Sequence, residues 1–269
     1  MSNVISKFDS LREFIDYADG NPTDNRSSSE TDDTQFTGGT HSLREAVGMA
    51  RNGWDAVRPD VDKMLATIKD SFGERFAKVN RTKVGIAGGA VHMGRYLAGR
   101  PDHMVGFHRM PSTRHGKVVR LLVDYGANSG VSAENMRKRG CTLTVLVDAL
   151  ATLGLSVELW TETTVTMGNK SHTTLIKLHD SREPLDINDM MFALAHPSML
   201  RRLTFSVRER AMTMATCRSS SYGSSVPVTQ ATALESDVVC NRLEHGGTDE
   251  LMVSDPVAWI LQTIEGLGV

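Results

Sequence analysis

Val118-Val119-Arg120-Leu121-Leu122-Val123-Asp124-Tyr125-Gly126-Ala127-Asn128-Ser129-Gly130 is the stretch on which the fold turns. Five of its first six residues are aliphatic, the mark of a strand buried on both faces of a largely parallel sheet. The polar, glycine-bearing end marks the turn. A helix is predicted from about Ser132 to Leu153, with Ser132 as N-cap, Gly154 as stop, and Leu143, Leu146, Val147 and Leu150 facing inward. Two β-branched segments follow, 156–166 and 173–179, joined by a turn at 167–171. Strand, crossover helix, strand and hairpin partner together predict an α/β domain over 117–269 with helices flanking a sheet. Helices at 187–195, 197–214 and 256–267 and a short strand at 237–243 complete it.

Upstream, Val4, Phe8, Leu11, Phe14 and Ile15 recur at helical spacing and predict an N-terminal helix over 1–18. Residues 19–41 are Gly, Asn, Ser, Thr and Asp with Phe36 almost alone among apolar residues, which predicts a flexible polar linker. Such a tethered helix either reaches a neighbouring subunit or folds back on its own domain. Its contact residues are then Phe8, Leu11, Phe14, Ile15 and Phe36. Ser42 and Glu45 form a capping box that opens one helix, and Pro59 begins a second reaching Phe76, giving a helical hairpin before an irregular Gly-rich segment within 42–116.

Composition removes whole classes of function. With 40% hydrophobic residues over 269 positions the chain builds a sizeable core, and collagen-like, coiled-coil and wholly disordered readings fall away. Thirty Lys and Arg against 32 Asp and Glu give a net charge of -2, so a nucleic-acid partner would need a local patch. Two exist in sequence, Arg137-Lys138-Arg139 and Arg201-Arg202 with Arg208 and Arg210. Three scattered cysteines, Cys141, Cys217 and Cys240, fit neither a disulfide framework nor a C-x-x-C zinc site. No secretory signal and no apolar run long enough for a membrane span is present, which predicts a protein of a reducing cytoplasm.

No G-x-S-x-G elbow, H-E-x-x-H, phosphate-binding loop or C-x-x-C appears, and the glycines at 85–89 lack the G-x-G-x-x-G spacing. His92, His103, His108 and His115 match no zinc pattern.

Two resemblances rest on these residues. Val118 to Glu162, with its apolar strand, acidic Ser/Gly turn, long helix closing on Ala149-Leu150-Ala151-Thr152-Leu153-Gly154 and then Val157-Glu158-Leu159-Trp160, resembles the start of a von Willebrand factor A-like domain. It implies a three-layer A-like or Rossmann-like sheet. The whole chain resembles a family of tailed-bacteriophage proteins, carried by Phe8-Asp9-Ser10-Leu11-Arg12-Glu13-Phe14-Ile15, Phe36-Thr37-Gly38, Asn52-Gly53-Trp54, Gly94 to Gly99, His196 to Leu203 and Asp255-Pro256-Val257-Ala258-Trp259. That second resemblance implies a viral origin and a place in the host cytoplasm or the virion, and supplies no activity.

The A-domain metal site uses D-x-S-x-S, with a Thr and an Asp from later loops. Here Gly126 and Asn128 hold the serine positions and Ser129 stands one place late. Two readings of Asp124 follow. In one, Asp124, Asn128, Ser129 and Asp180, with Asp186 and Asp189 nearby in sequence, hold Mg²⁺ or Ca²⁺. In the other, Asp124 and Asn128 shape the turn and cap the helix. The function expected is a non-enzymatic phage adaptor or assembly component that self-associates through its N-terminal segment and contacts other phage or host proteins. The alternative is a nucleic-acid-binding factor in replication, transcription or packaging, acting through Arg137, Lys138, Arg139, Arg201 and Arg202.

Overall fold

Strand β5 (Val118–Asp124) is the centre from which the molecule is built, as its apolar run requires. The computed structural model describes residues 2–20, 28–72, 82–107, 117–210, 224–243 and 250–268. Helix α6 (Ala133–Thr152) crosses over from β5 to the parallel neighbour β6 (Ser156–Met167). Ser132 caps α6 by accepting from the Asn135 N–H. β6 turns into antiparallel β7 (Lys170–His179), and β9 (Val238–Cys240) adds in parallel on the other side of β5. The sheet order is β1-β7-β6-β5-β9, where β1 is Ser2–Phe8, and β8 (Ser224–Val226) pairs with the end of β6. The result is a mixed α/β fold with a mostly parallel central sheet and flanking helices.

β1 corrects the sequence reading in two respects. Residues 2–8 are a strand, parallel to β7 from Ser2↔Lys170 to Phe8↔Ile176, and the helix begins only at Leu11. Val4 and Phe8 suit either period, since i, i+4 spacing also puts two residues on one side of a strand. The unpaired edge of β7 decides between them. The boundary drawn at 117 fails with it, because the first residues belong to the main sheet.

Alternation along the strands separates two faces. Val119, Leu121, Val123, Val157 and Leu159 pack under α6, α4 (Arg58–Phe72), α7 (Ile187–Ala195), α9 (Glu250–Ser254) and α10 (Pro256–Gly266). Phe8 and Ile176 pack under α1 (Leu11–Asp19), α3 (Leu43–Asn52), a π-helical turn at Met199–Thr204 and α8 (Phe205–Arg210). Leu122, Trp160 and Leu175 point the other way and are covered by Val228, Ala231 and Leu234. The layers are therefore helices, sheet and the segment 224–237.

Gly140 explains the closeness of α6 and α7. A Cβ there would overlap Ala195 Cα and the Leu194 carbonyl oxygen, so only glycine lets the two helices meet at this crossing.

The stretch read as a flexible linker is packed from residue 28 onward. Residues 28–30 form a 3-10 turn, Thr34–Thr37 form α2, and Ser29, Thr37 and Thr40 are buried. Two buried arginines hold it. Arg202 donates to the carbonyls of Ser29, Thr31 and Thr40 at 2.7, 3.0 and 2.7 Å and to Thr40 Oγ1 at 2.7 Å. Arg201 donates to the Phe36 carbonyl at 2.7 Å and lies 4.1 Å from the centre of its ring.

The Gly-rich segment forms a second, smaller sheet of order β2-β4-β3, made of β2 (Thr82–Gly85), β3 (Ala90–Val91) and β4 (Met104–Phe107), with α5 (Met93–Leu97) between β3 and β4. His92 caps α5 through its Nδ1, and His103 sits against Tyr96. Cys217, His108, His115 and most of the Ser/Thr-rich loop at 218–225 lie outside the described residues.

Candidate functional site at the carboxyl edge of the sheet

β5 and β6 run parallel and in register, so Asp124 and Glu162 end side by side on the same face of the sheet. Both are buried. Glu162 is satisfied by four donors from two segments: Thr164 Oγ1 at 2.8 Å, the Thr229 N–H at 2.7 Å and its hydroxyl at 3.0 Å, and the Gln230 N–H at 3.0 Å. That carboxylate fastens the segment 224–237 over the sheet.

Asp124 is less well served. Its Oδ1 accepts from the Gly126 N–H at 2.9 Å, and its Oδ2 is 3.8 Å from the Arg242 guanidinium. Burial pushes its pKa up to about 6, against the Gly126 N–H and the charges of Arg139 and Arg242, and neighbouring Glu162 adds to the rise. Arg139 ties the edge together by donating to the carbonyls of Asp124, Cys240 and Asn241 at 2.8, 3.2 and 2.6 Å. Tyr125 turns to the helical side, where its hydroxyl is 2.9 Å from Thr204 Oγ1. Arg208 donates to Thr163 Oγ1 at 2.9 Å.

Gly126 decides how far this edge fits a metal site. A Cβ at that position would lie 2.7 Å from Ser225 Oγ, 2.9 Å from Asp124 Oδ1 and 3.1 Å from Thr163 Oγ1, so the first serine of D-x-S-x-S has no room here. Asn128 and Ser129 are exposed on the loop, whereas Asp124 is buried and already engaged. Asp180 lies away from this edge, because β7 runs antiparallel to β6 and its last residue, His179, is level with Leu159 and Leu121 in the middle of β5. It is separated from Asp124 by about 13 Å along the strands and two strand spacings. Asp180 is instead held by Lys177 and Arg182, which keep its pKa well below the usual carboxylate range, the Arg182 hydrogen bond being the largest cause. Asp186 caps α7 through the Asn188 N–H and pairs with Arg95. The four residues Asp124, Asn128, Ser129 and Asp180 do not converge. Among the described residues no group of three or more His, Cys, Asp and Glu is arranged to hold a metal ion.

The basic residues divide. Arg137 and Lys138 are exposed, Lys138 pairing with Glu134 at 2.8 Å. Arg139, Arg201 and Arg202 are buried and donate to backbone carbonyls within the fold, so their side chains are structural and do not face a phosphate backbone at the surface. The apolar N-terminal residues are corrected likewise. Phe8, Phe14 and Ile15 are core, Leu11 packs half-buried against it, and Phe36 is half-buried, so these side chains are spent largely within their own fold.

Sequence reasoning missed the apolar surface of the smaller sheet. Ile86 is 82% exposed and Leu97 69%, and Val91, Met93 and Tyr96 are exposed with them. Met93, Tyr96 and Leu97 recur at i, i+3, i+4 along α5, the stripe that elsewhere faces a core. That spacing was the available signal, hidden because α5 is only five residues long.

Sheet, crossover and carboxyl edge define the chain as a mixed α/β protein of mostly parallel sheet. It belongs to the family described as Domain of unknown function (DUF7192), whose profile matches residues 2–264 and so takes in the main sheet from β1 to α10. No curated protein and no solved structure is significantly similar to it. Among the described residues no helix is long and apolar enough to cross a membrane.

Proposed function

We propose that this chain is a non-enzymatic adaptor or assembly component, acting by protein–protein contact and self-association in a tailed-phage setting, on an A-like sheet whose metal position has been closed. The carrying observation is the exposed cluster Ile86, Val91, Met93, Tyr96 and Leu97, five of the nine large hydrophobic side chains exposed among the described residues, gathered within twelve positions. Exposed apolar side chains gathered in this way mark protein contact sites when they form one patch. The A-like part of the reading draws on the passage from β5 through α6 to parallel β6 and antiparallel β7. The occupied surroundings of Asp124 support a turn-shaping role for it.

Light scattering tests the surface. Wild type is expected to run above the 29.4 kDa of one chain at micromolar concentration, and the double variant Met93→Asp, Leu97→Asp to fall to one chain with its circular dichroism unchanged. A wild type of one-chain mass at every concentration would remove self-association through this surface.

One observation favours the nucleic-acid alternative. Between Arg75 and Lys117 the sequence holds nine lysines and arginines against a single acid, Asp102, in a chain of net charge -2. Fluorescence anisotropy with labelled single- and double-stranded DNA would then show binding at low salt, weakening steeply as salt is raised because neutralised phosphates release counterions. Charge-reversal at Arg137 and Lys138 should leave it unchanged, since the basic stretch lies elsewhere. No binding to either probe at low salt removes this reading.

A further inference from the structure

The smaller sheet and α5, residues 82–107, form a lobe that shares no apolar core with the body. Among the described residues, none of its side chains joins or packs against the three apolar clusters that hold the main sheet and its helices together. Even Val105, buried in β4, belongs to none of them.

Charged side chains make the crossing instead. Arg95 on α5 donates to Asp186, the cap of α7, at 3.2 Å, and Arg100 donates to the Asn52 carbonyl at the end of α3 at 2.5 Å. One carboxylate of the lobe aims both guanidiniums: Asp102 accepts from Arg95 at 2.8 Å and from Arg100 at 3.0 and 3.1 Å. Between the two parts lies a cleft of about 490 Å³, with Val84, Arg95 and Asp102 on the side of the lobe and Arg58, Asp148 and His179 on that of the body.

The closed arrangement carries its own opposing cost. The Arg95 side chain is 8% exposed, yet its Nε–H finds no acceptor among the described residues. A buried donor without a partner disfavours the state that buries it, and an outward swing of the lobe would hand that donor to water. The same swing would take nothing out of the three apolar clusters. Parts of a chain joined by a small polar contact move relative to one another, whereas a large apolar contact fixes them.

We infer that residues 82–107 are a hinged flap over this cleft, latched shut by Arg95 on Asp186 and Arg100 on Asn52, and that it swings open in solution. The inference goes beyond the adaptor reading and does not rest on it, since none of the exposed apolar residues enters it.

Pulsed dipolar EPR on the full chain tests it. Spin labels go on Ala98→Cys in the lobe and Ala66→Cys on α4, both exposed positions, with Cys217→Ser removing the third native cysteine, since Cys141 and Cys240 are buried. A longer separation is expected beside the closed one, growing as salt is raised from about 0.05 to 1 M because the latch is ionic. Asp186→Asn removes the charge but keeps an oxygen to cap α7, and combined with Arg100→Gln it should raise the ratio of longer to shorter separation about fivefold or more. A single separation unmoved by salt and by the double variant overturns the flap. Two separations whose ratio neither salt nor the double variant changes overturn the latch. The salt series keeps the native latch residues, so it decides the matter even if the double variant fails to fold.

Discussion

Arg202→Met is expected to destabilise the protein by about 3–5 kcal/mol, because it leaves several buried acceptors without a donor. Methionine fills much of the same volume and makes no hydrogen bond, so the carbonyls of Ser29, Thr31 and Thr40 would be left inside the fold with nothing to accept from. Melting should fall by about 6–15 °C in a chain of this length. Arg202→Lys should recover little, since one ammonium cannot reach acceptors spread around a planar guanidinium. Hydrogen exchange would show where the loss falls: amides of 28–40 should lose protection first. Arg137→Met, at an exposed site, should change stability by under about 0.5 kcal/mol. If Arg202→Met were equally silent, the segment 28–40 would be a tether after all.

Acid should unfold the protein through two histidines. His172 and His196 are buried, and burial lowers each pKa to about 4, with Arg208 pressing further on His172 and Arg137 on His196. His196 is stacked on Phe192 and accepts from the Ser198 N–H; His172 Nε2 lies 3.0 Å from Ser6 Oγ across the β1–β7 pairing. A folded pKa below the unfolded 6.5 means that stability is fully present above pH 6.5 and is lost as pH falls through 4. Each ring then removes about 3 kcal/mol. Asp124 acts in the other direction. Its folded pKa of about 6 is above the unfolded value, so its contribution is full below about pH 4 and is lost as pH rises through 6. Between pH 7 and pH 4 it returns about 3 kcal/mol and partly offsets the histidines. Denaturant titrations across this window should therefore show a net fall in stability with acid. His196→Gln should reduce that fall, and Asp124→Asn should steepen it while raising stability at pH 7 to 8. A wild-type profile flat from pH 7 to 4 would refute the histidine assignment, and an Asp124→Asn profile parallel to wild type would refute the raised carboxyl.

The parts of this fold that were legible in the sequence are those decided locally. The aliphatic run of β5, the Ser132 cap of α6, the Ser42 and Glu45 box of α3 and the proline at the start of α10 each carry their own instruction within a few residues. What escaped depends on distant partners. Arg201 and Arg202 look like a solvated face until carbonyls some 160 residues away are brought over them. Glu162 stands in a run of threonines and gains meaning only from the β5 register and the Thr229 and Gln230 amides. For the candidate site, Asp124 was found because it ends a buried run. The failure of Asp180 to join it follows from the antiparallel course of β7, a matter of direction that composition does not record.

The pairing of β1 with β7 also sets an order of events at the ribosome. Ser2 meets Lys170 and Phe8 meets Ile176, so β1, once it leaves the exit tunnel, has to wait for a partner made 168 residues later. At 5–20 residues per second that wait is roughly 10–30 s. During it Val4, Phe8, Phe14 and Ile15 have no core to enter, and a chaperone that holds short apolar segments would find them before the sheet does.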